Sequence, residues 1–269
     1  MENNIDVYYD KKEYIVMSRK IVKFIWNNDL SSDISFKLVQ DTHKSKVYKF
    51  NYDKSNYYLK YYTPISFNKI MKNKFREIEA LRHYNTAKGL QFAGIPTVNP
   101  VLAIVKNNNL FYKESILVME EVDGLTLENY MQKTRLNDSI KHEIIKQFSQ
   151  IYAKLINYKY LHQDPMFCNF MINEKHKNSI EIVVIDVDNI YKLPFYTKRM
   201  IIYSLVKLNN LILYDLKNLN LQYLSKEDIQ FFLSEFLKKC NNSLEENKLI
   251  DIILQKSAKR LIELNEKTL

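Results

Sequence analysis

Glycine is nearly missing from this chain: Gly89, Gly94 and Gly124 are the only three among 269 residues. None falls between Gln40 and Lys46, the first strand turn, so a glycine-rich loop whose backbone amides cradle phosphate is excluded there. Cysteine is equally scarce. Cys168 and Cys240 have no paired spacing, which excludes a zinc site and a disulfide framework and fits a reducing compartment. Long hydrophobic runs are absent too: Ser115 to Met119 and Ile182 to Ile185 fall far short of the roughly 20 residues that span a bilayer. The opening MENNIDVYYDKKEY is polar throughout, so secretion is not expected and a cytoplasmic protein is. No internal repeat or low-complexity tract occurs.

What is there is a globular protein, with 46% apolar residues and 13% aromatics to build a core. The net charge of +9, from 40 Lys and Arg against 31 Asp and Glu, favours partners rich in phosphate: nucleotides, anionic lipid or nucleic acid. The cations are dispersed with no dense basic block, so nucleic acid is not expected as a partner. Heavy use of Lys, Asn, Ile and Tyr also matches the bias of an AT-rich genome, which accounts for part of the basic balance.

Hydropathy divides the chain near residue 123. From Asp33 to Tyr62 the runs ISFKLV, KVYKFNY and YYLKYY alternate between polar turns and predict three antiparallel strands. From Ser66 to Lys88 the apolar residues Ile70, Phe75, Ile78, Leu81 and Tyr84 recur at helical spacing, which predicts a helix capped by Gly89. Gly94-Ile95-Pro96 then turns the chain into VLAIV and SILVMEEV, two further strands around an Asn107–Asn109 turn, for a sheet of five. Beyond Gly124 helices dominate. Ser225 followed by Asp228 reads as a capping box that opens the helix from Lys226. The fold class is α+β, with a β-rich N-lobe (1–123) carrying one main helix, an α-rich C-lobe (124–269) and a cleft at the join.

The chemistry is concentrated in one segment, His162-Gln163-Asp164-Pro165-Met166-Phe167-Cys168-Asn169, followed by Val183-Val184-Ile185-Asp186-Val187-Asp188. An H-x-D-x-x-x-x-N loop ahead of an apolar strand ending in Asp is the spacing phosphoryl transfer requires. The first Asp accepts the proton of the attacking hydroxyl, while the Asn and the second Asp hold magnesium on the nucleotide phosphates. Asp164 is therefore the candidate catalytic base, and Asn169 and Asp186 the candidate metal ligands. A lysine must also hold the α- and β-phosphates of ATP. Lys60, centred in the third strand, is that candidate, with Glu77 as its helix partner and Glu79 as the second choice. The backbone of Glu120, Glu121 and Val122 falls where the adenine would be received, and Asp123 or Glu128 where the ribose would be. In the glycine-free turn the side chains of His43, Lys44 and Ser45 stand where the phosphates would be covered. Asp186 is followed by Val187 rather than a phenylalanine and a glycine, so a mobile activation segment is not expected. Arg199 and the helix Tyr196 to Leu213 read as supports of the fold.

Several of these pieces together resemble the lipopolysaccharide core kinases, which include heptose kinases and 3-deoxy-manno-octulosonic acid kinases. The carriers are Arg76-Glu77-Ile78-Glu79-Ala80-Leu81, Ala93-Gly94-Ile95-Pro96-Thr97-Val98, the HQD…N loop and Ile185-Asp186-Val187-Asp188-Asn189. The resemblance runs from about Ile34 to Leu213. It implies a two-lobed protein-kinase-like fold, ATP and Mg2+, the roles given above for Lys60, Glu77, Asp164, Asn169 and Asp186, and a lipid-linked sugar or other hydroxyl-bearing acceptor. It departs at Gln163, where the family often has Gly or Arg, and at Asp188-Asn189, where a basic residue often stands. Work on the inner face of the inner membrane, with peripheral contact to anionic lipid, would follow. A small-molecule kinase of the aminoglycoside or choline type shares the same loop and stays open, as does a pseudokinase that binds without turnover.

Overall fold

The computed structural model describes residues 4–29, 34–43, 45–63, 77–107, 113–134, 137–176, 179–241 and 245–266. Contacts divide the chain into two compact units: Met1–Gly89 with Val98–Val122, and Leu90–Thr97 with Asp123–Leu269. A single cut after residue 123 would leave Leu90–Thr97 in the first lobe, whereas by its contacts this stretch goes with the second unit.

The first unit is built on an antiparallel sheet in the order β1-β5-β6-β4-β3-β2. Its strands are β1 (Ile5–Tyr9), β2 (Lys37–Asp41), β3 (Ser45–Tyr52), β4 (Ser55–Tyr62), β5 (Pro100–Asn107) and β6 (Lys113–Glu120). The expected five strands are all present, and β1 makes the sheet six-stranded. Its alternation is too short to stand out from the polar opening, and it becomes a strand by pairing along the edge of β5, from Ile5 opposite Lys106 to Tyr9 opposite Leu102. The turn expected at Asn107–Asn109 lies outside the described residues beyond Asn107. Asp53 and Lys54 close the β3–β4 hairpin at φ 47° and 65°, the left-handed pair that matches strand twist.

Two helices cover the two faces of this sheet. Helix α1 (Tyr14–Asn27) was not anticipated from the sequence, although Tyr14, Met17, Ser18 and Ile21 mark a buried helical stripe. Tyr14, Met17 and Ile21 join Leu59, Leu102, Ile104, Ile116 and Val118 in one core. Because neighbours along a strand point to opposite faces, Ala103, Leu117 and Tyr62 form a second cluster on the other side, with Ala80 of helix α2 (Glu79–Phe92). The described helix begins at Glu79, and Ser66–Arg76 lie outside the described residues. Its expected cap at Gly89 is corrected: Ala87, Leu90 and Ala93 extend the buried stripe past that glycine. The chain turns at Gly94 instead, at φ 67°, where Gly94 N–H meets the Gln91 carbonyl and Ile95 N–H the Leu90 carbonyl, both at 2.9 Å.

The second unit holds helices α3 (Leu127–Lys133), α4 (Asp138–Asn157), α5 (Lys198–Asn218), α6 (Lys226–Lys239) and α7 (Glu246–Glu266). It also has a sheet ordered β10-β9-β7, from Ser179–Val184, Phe170–His176 and Leu125–Thr126, and a pair of short strands, β8 (Tyr160–His162) and β11 (Ile190–Lys192). Side-chain caps start the helices: Thr126, Asn137 and Thr197 each accept a backbone N–H of the first turn. Ser225 and Asp228 form the reciprocal capping box that their spacing indicates. Burial opposes ionisation of Asp228, but the Ser225 N–H and the Lys141 ammonium, 3.0 Å away, outweigh it and hold the carboxyl below its usual range. That ion pair fastens α6 to α4.

Candidate active site

In the second unit the catalytic loop hangs between two buried rings. His162 ends β8 with 1% exposure and packs 5.7 Å from the ring of Phe170, which opens β9. Burial, with the charge of Lys207 adding to it, pushes His162 down to about 3. The ring is therefore neutral, and its Nδ1 accepts the Asp164 N–H at 3.3 Å. Gln163 N–H reaches the Asn189 carbonyl at 2.8 Å, tying the loop to the segment before β11. Asp164 itself is half-buried. Asn169 donates its amide nitrogen to the Asp164 carbonyl at 2.7 Å and to its carboxylate at 3.4 Å. Its Oδ1 accepts the Cys168 thiol at 3.7 Å.

Asp186 is positioned from the same residue. Ile185 N–H donates to the Asn169 carbonyl at 3.0 Å, continuing the β9–β10 ladder beyond its last pair, Phe170 opposite Val184. Asp186 Oδ1 accepts the Asp188 N–H at 3.2 Å. Val184 is clamped from the other side: its N–H reaches the Pro96 carbonyl at 2.9 Å, and its carbonyl takes the Thr97 hydroxyl at 2.7 Å. The Gly94-to-Thr97 turn thus fixes the strand two residues before the candidate metal aspartate. Gln147 of α4 binds the Ile180 carbonyl and the Ile182 N–H with its side-chain amide, standing in for a neighbouring strand along the β10 edge. Asn169 and Asp186 offer hard oxygen donors only, the set that suits magnesium.

One further carboxylate frames the loop. Asp215, on α5, is 7% exposed and accepts the Phe167 N–H at 2.7 Å. Burial pushes it up to about 6 against the pull of that bond, and the charges of Glu128 and Asp164 add to the rise. Partial burial of the Cys168 sulfur, with Asp215, Glu128 and Asp164 near it, pushes that thiol up to about 11, so it stays protonated. Asp215, Thr97 and Gln147 were all missed from sequence. Only Asp215 left a signal, as the one acid between Ile190 and Ser225, on an apolar helix.

In the first unit Lys60 lies opposite Val47 on β3 and Leu117 on β6. It shares a face with Tyr62, whose ring centroid is 5.1 Å from its Nζ and which packs against Ala80 of α2. Glu79, the first residue of α2, is buried on that helix, whereas Glu77 precedes the helix, is exposed and accepts Asn85 Nδ2 at 2.6 Å. Glu120 N–H is taken by the Asn99 carbonyl and Glu121 N–H by that of Asn56, both at 3.0 Å. The Glu121 carboxylate is bound by Lys49 at 2.5 Å and Tyr58 at 3.3 Å. Val122, next in line, has no hydrogen-bond partner among the described residues. Between β2 and β3 the Thr42 hydroxyl donates to the Ser45 carbonyl at 3.0 Å and accepts the Ser45 N–H at 3.1 Å. A side chain thus closes the turn where a glycine loop would sit. His43 and Asp123 are exposed, and Lys44 lies outside the described residues.

Comparison with curated protein sequences returns no significant match. Among solved structures, the fold is similar to that described as WaaP in complex with acyl carrier protein. The TM-score is 0.68 at 15% identity, over 95% of this chain and 99% of that one. That likeness carries the two-lobed α+β kinase-like fold. The model of the lipopolysaccharide kinase (Kdo/WaaP) family matches residues 36–235, most of the chain and all of the elements that hold the loop, the lysine strand and Asp186. The chain accordingly belongs to the lipopolysaccharide kinase (Kdo/WaaP) family, and it is a phosphotransferase acting on a sugar hydroxyl of the lipopolysaccharide core.

Proposed function

We propose that the phosphoryl donor is ATP with Mg2+ and that the acceptor is a heptose or 3-deoxy-manno-octulosonic acid hydroxyl of the lipid-linked core. The observation that carries this reading is the double tie of Asn169, by its amide to Asp164 and by its carbonyl to Ile185 N–H, which sets a base and two oxygen donors on adjoining strand ends. Asp164 accepts the proton as the acceptor oxygen bonds to the γ-phosphorus, and the bond from that phosphorus to the β,γ-bridging oxygen breaks to release ADP. Asn169 Oδ1 and the Asp186 carboxylate are the groups that would hold magnesium, which would neutralise charge developing on the phosphates. Lys60 serves the α- and β-phosphates, with Glu79 rather than Glu77 as its partner because Glu79 is the one buried on α2. Val122 supplies the open backbone groups for the adenine.

The protein works on the cytoplasmic face of the inner membrane, where a lipid-linked core and ATP meet. An acyl carrier protein is a further partner in this reading. It is supported by the complex in the similar structure and by the net charge of +9, which suits an acidic carrier.

The test is transfer from γ-labelled ATP to truncated lipopolysaccharide, using acceptors that end in heptose and acceptors that end in 3-deoxy-manno-octulosonic acid. Asp164→Asn is expected to lower turnover by roughly a thousandfold, the upper part of the range for a positioned base, while nucleotide binding stays intact. Undiminished transfer by that variant would remove Asp164 from its role, and transfer only to a small soluble alcohol would overturn the acceptor class.

A further inference from the structure

We propose that an aromatic and basic surface of the second unit docks this kinase on anionic lipid headgroups; this deepens, and rests on, the reading of a lipid-linked acceptor. The surface is assembled from three segments. Tyr158 and Lys159, both exposed, follow α4, with Lys159 held at φ 64°. Leu193 N–H reaches the Lys159 carbonyl at 2.8 Å, and Lys159 Nζ the Pro194 carbonyl at 3.2 Å, so the turn lies against the Lys192–Phe195 segment. That segment leads into α5, whose first turns expose Lys198, Arg199 and Tyr203, the last two on one helix face four residues apart. Phe195 is 61% exposed, Tyr203 54% and Tyr158 45%, an uncommon set of large rings to leave in water on segments that also expose cations. The α6 terminus adds exposed Lys239, whose carbonyl takes the Asn157 amide at 2.8 Å.

Charge selects the occupant. Between Ile190 and Ser225 the sequence carries five cations, Lys192, Lys198, Arg199, Lys207 and Lys217, and one acid, Asp215, which is buried against the catalytic loop. Glu245, a carboxylate that acts on Lys198, is itself paired with Lys248 at 2.7 Å. Tyrosine rings settle at the headgroup level of a bilayer, and each nearby Lys or Arg strengthens binding to an anionic surface about fivefold. The location also serves catalysis. Asp164 lies five residues beyond Lys159, so at most about 18 Å of chain separates the surface from the base. Docking there keeps the base within reach of sugars close to the lipid.

The test floats the full-length protein with vesicles of about 30% phosphatidylglycerol in phosphatidylcholine, and with phosphatidylcholine alone, at about 0.1 M salt. Turnover is followed in parallel on a water-soluble core oligosaccharide and on the same core carried by vesicles. Lys198→Glu/Arg199→Glu and Phe195→Ser/Tyr203→Ser are compared with Lys12→Glu/Lys37→Glu, which makes the same charge change on exposed positions of the first unit. Both surface variants are expected to lose at least roughly tenfold in anionic-vesicle binding and in turnover on vesicles, with soluble-acceptor turnover unchanged and the control like wild type. Equal binding to neutral vesicles, equal loss in the control, or unchanged binding by the surface variants would overturn the proposal. So would variants that keep vesicle binding and lose only a purified acyl carrier protein, which would assign the surface to that partner. Absence of turnover by the wild type on every core acceptor would instead overturn the acceptor reading, while flotation still judges the surface.

Discussion

Replacing Asp215 should separate stability from activity. Its carboxylate is buried, accepts the Phe167 N–H at 2.7 Å and sits at about 6, above the ordinary carboxylate value near 3.9. The folded state therefore holds more proton than the unfolded chain between those values, and stability falls as pH rises through that window. Above pH 6 the ionised group costs up to about 3 kcal/mol, and solvent screening around a site shared with Glu128 and Asp164 brings this to roughly 1.5 kcal/mol. Asp215→Asn keeps an oxygen for the Phe167 N–H and never ionises. Its melting temperature should match wild type near pH 4 and exceed it by roughly 3–6 °C at pH 7.5. Asp215→Leu leaves that N–H buried without an acceptor, a penalty of about 1–3 kcal/mol that falls on the loop carrying Asp164 and Asn169. If the loop bears it in the transition state, kcat drops roughly 5- to 150-fold. The assays are melting curves across pH and steady-state turnover on the core acceptor. An Asn variant that melts below wild type at pH 7.5, or a Leu variant with full turnover, would refute the reasoning.

Gly124→Ala should abolish stable folding of the second unit or lower its melting point by ten degrees or more, because an added Cβ would lie 2.0 Å from the Ile172 carbonyl oxygen at a backbone φ of 133°. Gly94→Asn, at φ 67° with the nearest atom 3.5 Å from a Cβ, should cost no more than about 1 kcal/mol in the same melts. Glu79→Gln is expected to raise the KM for ATP at least roughly tenfold and Glu77→Gln to leave it within twofold; the reverse order would return the lysine partnership to Glu77.

Alternation and spacing were enough to read the sheet from β2 to β6 and the catalytic segment, because both depend on local pattern: period two for a strand, five residues from Asp164 to Asn169. Elements that depend on distant partners were not legible. Strand β1 owes its conformation to β5, and α1 follows so closely on a polar opening that its stripe of Tyr14, Met17 and Ile21 went unread. Local pattern puts Glu77 ahead of Glu79 because it lies four residues before Leu81, next to the apolar stripe of a helix expected from Ser66. With the described helix starting at Glu79, Glu77 falls outside it and pairs with Asn85. The frame of the site was hidden for the same reason. Thr97 lies 87 residues from Val184 and Asp215 lies 48 from Phe167, and nothing local announces either hydrogen bond.

Glycine scarcity has a consequence for the chemistry. Among the described residues five non-glycines, Asn28, Asp53, Lys54, Lys159 and Asn220, adopt left-handed backbone with φ between 47° and 65°, each accepting a strain of about 1 kcal/mol that glycine would avoid. Only Gly94 and Gly124 keep positive φ among glycines, and both stand in the frame around the candidate metal aspartate: Gly94 opens the turn that clamps Val184, and Gly124 lies against the Ile172 carbonyl of β9. At the β2–β3 turn the chain uses Thr42 instead, and that choice is not neutral. The Thr42 hydroxyl occupies the Ser45 N–H, a backbone donor that a glycine loop would aim at phosphate. Under the proposed function, recognition of the triphosphate would rest on whole charges, the Lys60 ammonium and magnesium, more than on backbone dipoles. Those interactions are screened by salt where amide contacts are not, so in this reading nucleotide affinity depends on ionic strength and on magnesium more steeply than in kinases whose backbone encloses the phosphates.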